Sequence, residues 1–151
     1  MIDRDIIADI VRRYDPAKVK RGVIASHSAL DTCDGAVEEG FRTVAFCQKG
    51  RERTYDTYFR AKRDPSGRLL RGVVDEPVLL DRFKEVMEPG RLDWMRRNHV
   101  LFVPNRALTS YATIEDVEDR FEVPLLGSRN MLRSEEREEQ QSYYWLLEQA
   151  G

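Results

Sequence analysis

Two hydrophobic rhythms alternate along this chain. Ile6, Ile7, Ile10 and Val11 share one stripe at helical spacing, so the pattern predicts a helix over residues 3–14, capped by Asp3 and stopped by Asp15-Pro16. Gly22-Val23-Ile24-Ala25-Ser26 is a short apolar run of the kind found in a buried parallel strand. Ser28-Ala29-Leu30-Asp31 reads as a capping box opening a helix over residues 29–39, with Gly40 placed to end it. Thr43-Val44-Ala45-Phe46-Cys47 is a second buried strand, which completes a βαβ unit preceded by a helix.

Downstream the rhythm is less regular. Pro65-Ser66-Gly67 marks a turn suited to a hairpin tip. Residues 77–80 read as a third strand, with Pro77 acceptable at its start. A helix is expected over residues 81–87, broken by Pro89-Gly90, and further helical turns over 92–97. Residues 100–103 predict a fourth strand, 114–121 a short helix and 123–126 a fifth strand or extended edge. The last predicted helix covers residues 134–150. Its first half has no apolar face, and its aromatic residues Tyr143, Tyr144 and Trp145 sit at the far end.

Strands alternating with helices imply an α/β fold, a parallel sheet with helices on both faces. In such sheets ligands lie beyond the carboxyl ends of the strands. Three segments belong there: Ser26-His27-Ser28, Lys49-Gly50-Arg51 with the preceding Gln48, and Pro104-Asn105-Arg106-Ala107.

Composition narrows the class. The chain has 151 residues, the size of one ordinary domain, with 25 basic and 27 acidic residues and a net charge of −2. That balance argues against a general nucleic-acid binder. No apolar run reaches the roughly 18 residues needed to span a membrane, and the charged start lacks a signal-peptide core. Two cysteines and two histidines make neither a disulfide framework nor a metal cage, so a cytoplasmic protein without a metal of its own is expected. The near-neutral total hides a basic middle: residues 49–71 hold eight basic and three acidic side chains, placed in the sequence where a phosphate would bind.

The two βα segments carry the candidate chemistry. A helix start after Ser26-His27-Ser28 offers N–H groups and a favourable dipole to an anion, with two hydroxyls and an imidazole beside it. Gly50 lets the backbone approach a ligand, and Lys49 and Arg51 supply charge suited to phosphate. The same residues also suit a plain helix cap and a solvated basic loop. Cys33 and Cys47 suit small buried hydrophobes, and Arg129 and Arg133 suit ion pairs to the glutamates that follow. These residues by themselves define an α/β domain with a candidate anion crevice.

The same segments carry a family resemblance. Residues 24–30, Gly35-Ala36 with Glu39 to Val44, and Lys49-Gly50-Arg51, followed by residues 74–83, 102–104, 123–129 and Leu132-Arg133, resemble the archaeal formate-dependent AICAR ligases, or FAICAR synthetases. The resemblance implies an ATP-grasp ligase of purine biosynthesis that activates formate with ATP and formylates the amine of AICAR, giving FAICAR, ADP and phosphate. It implies that residues 1–133 form a Rossmann-like nucleotide-binding N-terminal domain. It further implies that residues 134–151 lead as a helix toward an ATP-grasp region outside this chain, where ATP and magnesium are held. His27 matches the family's AICAR-contacting histidine, and Lys49, Gly50 and Arg51 match its Lys-Gly-Arg segment. Pro104-Asn105-Arg106-Ala107 departs from the family's Pro-His-Gly-Ser. Ala107 stands where a serine contacts AICAR, so that contact passes only through backbone, and Arg106 adds charge at the pocket edge.

Three readings follow. The first is the ribotide-binding part of such a ligase, inactive without the ATP-grasp region in cis or trans. The second is a stand-alone or divergent nucleotide- or phosphate-binding module without ligase activity, which the Asn105-Arg106-Ala107 segment favours. The third is a docking role for the aromatic end of the last helix, against a further domain or another copy of the chain.

Overall fold

The computed structural model describes residues 1–137 and 139–151. The elements are α1 (Arg4–Arg12), β1 (Lys20–Ile24), α2 (Ala29–Glu38), β2 (Arg42–Gln48), β3 (Lys62–Arg63), β4 (Leu69–Arg71), β5 (Glu76–Leu80), α3 (Pro89–Arg97) and β6 (Val100–Phe102). Four helices follow: α4 (Arg106–Tyr111), α5 (Ile114–Asp119), α6 (Arg129–Glu135) and α7 (Tyr143–Ala150). The main sheet has the order β5-β2-β1-β6, with each neighbouring pair parallel. Taken in chain order its strands run 3-2-1-4, the order of a doubly wound sheet. The chain therefore reverses its direction of travel between β1 and β6.

Burial explains why these runs are strands. Residues 43–47 of β2 are all buried, and residues 22–24 of β1 likewise, because β2 and β1 are the interior strands and have elements on both faces. Helix α2 packs on β1 and β2, and α3 packs on β6. The rings of Trp94, Phe46, Phe102 and Phe121 form a chain through the core, with centroids 6.2, 6.0 and 5.1 Å apart. Gly22 sits where β1 and β6 come closest: a Cβ there would lie 2.5 Å from Val100 Cγ1.

The β3–β4 hairpin turns at Pro65-Ser66-Gly67 as the sequence predicts. Its base is fixed by a polar cluster at the amino-terminal end of the sheet. Arg63 donates to both carboxylate oxygens of Asp75, Arg42 donates to Asp75 Oδ1 at 2.8 Å, and Asp75 Oδ2 accepts from Thr43 N at 3.1 Å. Arg63 and Arg42 thus lie at the end of the sheet opposite the strand carboxyl termini. This corrects the expectation that the basic middle as a whole gathers where a phosphate would bind. Local charge counts do not see a carboxylate that arrives from twelve residues away.

Other expectations are corrected for local reasons. Pro89 opens α3 instead of breaking a helix, because the first helical position needs no N–H. Residues 81–87 supply only a 3-10 turn, Phe83–Met87, with Glu85 accepting from the N–H groups of Asp81 and Arg82. Residues 123–126 form no strand. Phe102 and Leu125 make a single bridge, and Pro124 has no N–H to extend it. Ser28 makes no side-chain cap bond, so the predicted capping box is absent.

The long final helix is also corrected. Helix α6 ends at Glu135, Glu136 is extended, and α7 begins only after Ser142, whose hydroxyl accepts from Trp145 N. A segment without an apolar face has nothing to bury as a helix, and its carboxylates find other partners. Glu136 accepts from Arg106 and Thr109, and Glu139 pairs with Arg133. Glu138 lies outside the described residues. Helix α6 runs across the expected 133/134 boundary.

Candidate functional site

The carboxyl ends of β2, β1 and β6 lie side by side, and each feeds a loop that carries candidate residues. After β1, the backbone turns through His27, which adopts the left-handed conformation at φ 46°, a position uncommon for a residue with a side chain. Ser26 O accepts from Ala29 N at 3.1 Å and Ser28 O from Thr32 N at 3.0 Å, which starts α2. Ala29 N is thus already met, and because the Ser28 hydroxyl does not cap α2, the N–H groups of Leu30 and Asp31 are left to other acceptors. His27 and Ser28 are exposed and Ser26 is half-buried.

After β2, Lys49 N donates to Leu80 O at 2.9 Å, which ties this loop to the end of β5. Gly50 has φ +85° with nothing within 4 Å of a built Cβ, so conformation and not space requires glycine there. Lys49 Nζ pairs with Asp81 Oδ1 at 2.5 Å. This pairing and hydrogen bond raise the lysine's pKa and lower that of Asp81. Part of the charge assigned to the loop is therefore met by Asp81, just after β5. Arg51 is exposed and has no carboxylate within ion-pair distance among the described residues.

After β6, Asn105 Nδ2 donates to Ile24 O and to Ser26 O, each at 3.0 Å. One side chain thus fastens the β6 loop to the β1 loop at the point where the sheet order reverses. The sequence singled out Asn105 only as part of an unusual segment. A polar amide directly after a strand and a proline, at the switch point, was the available signal. Arg106 follows, 68% exposed at its side chain and paired with Glu136. Ala107 lies on α4 and is fully buried in the core.

The structure therefore brings Ser26, His27, Ser28 and Asn105 together at one switch point, with Lys49, Gly50 and Arg51 on the adjoining loop. A hollow of about 750 Å³ lies at the opposite end, lined by Lys18, Lys20, Arg42, Arg97 and His99 among others. It is the poorer anion site. Lys18, Lys20 and Arg42 are paired with Asp15, Glu76 and Asp75, and the carboxyl ends of α2 and α3 bring negative dipole ends to it. At the carboxyl edge, the α2 amino terminus acts in the opposite sense. No three His, Cys, Asp or Glu side chains gather to hold a metal ion among the described residues.

A relative from Methanosphaera stadtmanae, 5-formaminoimidazole-4-carboxamide-1-(beta)-D-ribofuranosyl 5'-monophosphate synthetase, is 34% identical over 134 residues, covering 89% of this chain and 33% of its own length. The protein of the same name from Methanothermobacter thermautotrophicus is 30% identical over 150 residues, covering 99% of this chain and 37% of its own. The crystal structure of an IMP biosynthesis protein PurP from Thermococcus kodakaraensis superposes with a TM-score of 0.54 at 25% identity, over 76% of this chain and 31% of that one. The chain spans about a third of the length of the curated relatives it matches. A family profile described as "Protein of unknown function (DUF1246)" matches residues 22–151, from the middle of β1 to the end of α7, and the chain belongs to that family.

Proposed function

We propose that this chain is the ribotide-binding N-terminal portion of a cytoplasmic ATP-grasp ligase that formylates AICAR to FAICAR with formate and ATP. The observation that carries the reading is the switch point beyond the strand carboxyl ends, where the start of α2 and Ser26-His27-Ser28 meet the loop pinned by Asn105. The names of the relatives from Methanosphaera stadtmanae and Methanothermobacter thermautotrophicus support the substrate class.

In this reading the residues of the chain bind and orient. The N–H groups at the start of α2 and the hydroxyls of Ser26 and Ser28 donate to the ribotide phosphate, Arg51 adds charge, and His27 hydrogen-bonds the ligand. Gly50 supplies the left-handed backbone that turns its loop. The chain supplies no carboxylate cluster suited to magnesium among the described residues, so no step of ATP chemistry is assigned to it. ATP and magnesium belong to an ATP-grasp region, in cis or in trans, for which residues 134–151 form the connection.

Calorimetry tests this directly. AICAR is expected to bind the chain, and His27→Ala to weaken it at least tenfold, about 1.4 kcal/mol. Absence of heat with AICAR and with other ribonucleoside monophosphates overturns the reading.

A second reading, a divergent phosphate-binding module without ligase activity, is favoured by one observation. Arg106 stands exposed at the crevice rim while Ala107, its neighbour, is buried. Tighter binding of a ribotide bearing an additional anionic group than of AICAR, lost in Arg106→Ala, selects it.

A further inference from the structure

Among the described residues three buried side-chain atoms have no hydrogen-bond partner: Arg21 Nη1, Glu52 Oε2 and Asn105 Oδ1. Arg21 stacks on Phe41 at the amino-terminal end of the sheet. The other two are acceptors on the loops that leave the carboxyl ends of β2 and β6, on either side of the β1 loop. Buried acceptors are rarely left unmet, and those that are point to a missing donor.

Asn105 is the better defined of the two. Both partners of its Nδ2 are backbone carbonyls, Ile24 O and Ser26 O at 3.0 Å, which only an N–H can satisfy. Rotating the amide to satisfy Oδ1 would turn oxygen against two carbonyl oxygens. The amide is therefore locked, and its Oδ1 is left as a buried, unmet acceptor beside the β1 loop. Nearby in sequence, His27, Ser28 and Arg106 are exposed, and Arg106 is paired with Glu136.

We propose that Asn105 is a specificity residue of the crevice, whose Oδ1 accepts a hydrogen bond from an N–H or O–H group of the bound ligand. The inference rests on the reading that the crevice holds a ribotide, and deepens it. The phosphate is held at the start of α2, and Asn105 selects for a donor on the rest of the molecule. An anion without donors gains nothing from this residue.

The test compares AICAR, which carries amine, carboxamide and hydroxyl donors, with sulfate, which carries none at neutral pH. Asn105→Ala is expected to weaken AICAR at least tenfold and to change sulfate affinity by less than twofold, both followed by amide NMR shifts. Equal weakening of the two, or unchanged AICAR affinity, overturns the proposal. Because the substitution also removes two loop bonds, the unaltered chain is examined as well, labelled with ¹³C at the side-chain carbonyls of its three asparagines. The Asn105 carbonyl resonance is expected to move with AICAR and to stay with sulfate. AICAR shifts at His27 with none at the Asn105 carbonyl overturn this inference alone. AICAR shifts at no crevice residue overturn the ribotide reading and the inference with it.

Discussion

Arg63 grips Asp75 with two bonds, Nε to Oδ1 at 2.6 Å and Nη2 to Oδ2 at 3.0 Å, and this pair locks the β3–β4 hairpin to the amino end of the sheet. Both side chains are largely buried, so removing Arg63 leaves the Asp75 carboxylate with only Arg42 and Thr43 to meet its charge. Arg63→Ala is expected to cost about 3 kcal/mol, measured by urea unfolding, and to leave AICAR affinity within twofold because the crevice lies at the other end of the strands. The pair also sets a pH dependence. Burial alone would raise the pKa of Asp75, but hydrogen bonds from Arg63, Arg42 and Thr43 N outweigh it and hold the carboxyl below its usual value. Its stabilising contribution is therefore complete above the unfolded carboxylate pKa of about 4. It is lost as pH falls through the lower folded value. Urea midpoints from pH 7 down to pH 2 are expected to fall more steeply for the unaltered chain than for Asp75→Asn, whose curve starts lower. Parallel curves contradict the assignment.

Gly22 and Gly35 are expected to respond in opposite directions to alanine. At Gly22 the added methyl meets Val100 Cγ1 at 2.5 Å inside the core, which costs about 1–3 kcal/mol of overpacking. At Gly35, within α2, a Cβ meets nothing within 4 Å, so alanine gains roughly 0.5–1 kcal/mol of helix stability. Thermal unfolding of both variants checks the pair. A Gly22→Ala protein as stable as the parent contradicts the close approach of β1 and β6.

Cys33 and Cys47 are both buried, and burial pushes each thiol up to about 12. Since the thiolate is the reactive form, neither residue is expected to react with a soluble disulfide reagent at pH 8 while the protein is folded, and both are expected to react in denaturant. Stoichiometric labelling of either cysteine within minutes in the folded protein contradicts the packing of β2 and α2.

The βαβ unit was legible because its strands are short, continuous apolar runs and its helix is bounded by Ser28 and Gly40. The placement of residues 26–28, 49–51 and 104–107 beyond the strand carboxyl ends followed from the parallel order alone. Less legible was anything decided by partners distant in sequence. Asp75 draws Arg63 and Arg42 to the wrong end for a phosphate. Glu136 prefers Arg106 and Thr109 to a helix. Asn105 looks unremarkable until its two carbonyl partners, some eighty residues earlier, are brought beside it. The aromatic end of the chain was read as an exposed surface, and Tyr143, Tyr144, Leu146 and Leu147 are indeed exposed on α7.

The central claim is that the ligand sits at the switch point and not at the basic hollow on the other end of the sheet. Titrating AICAR into the ¹⁵N-labelled chain and mapping amide shifts decides between them. The predicted result is a cluster of large shifts at residues 26–31, 49–51 and 105–106, absent in His27→Ala. Shifts centred instead on Lys18, Lys20, Arg97 and His99 would contradict the account.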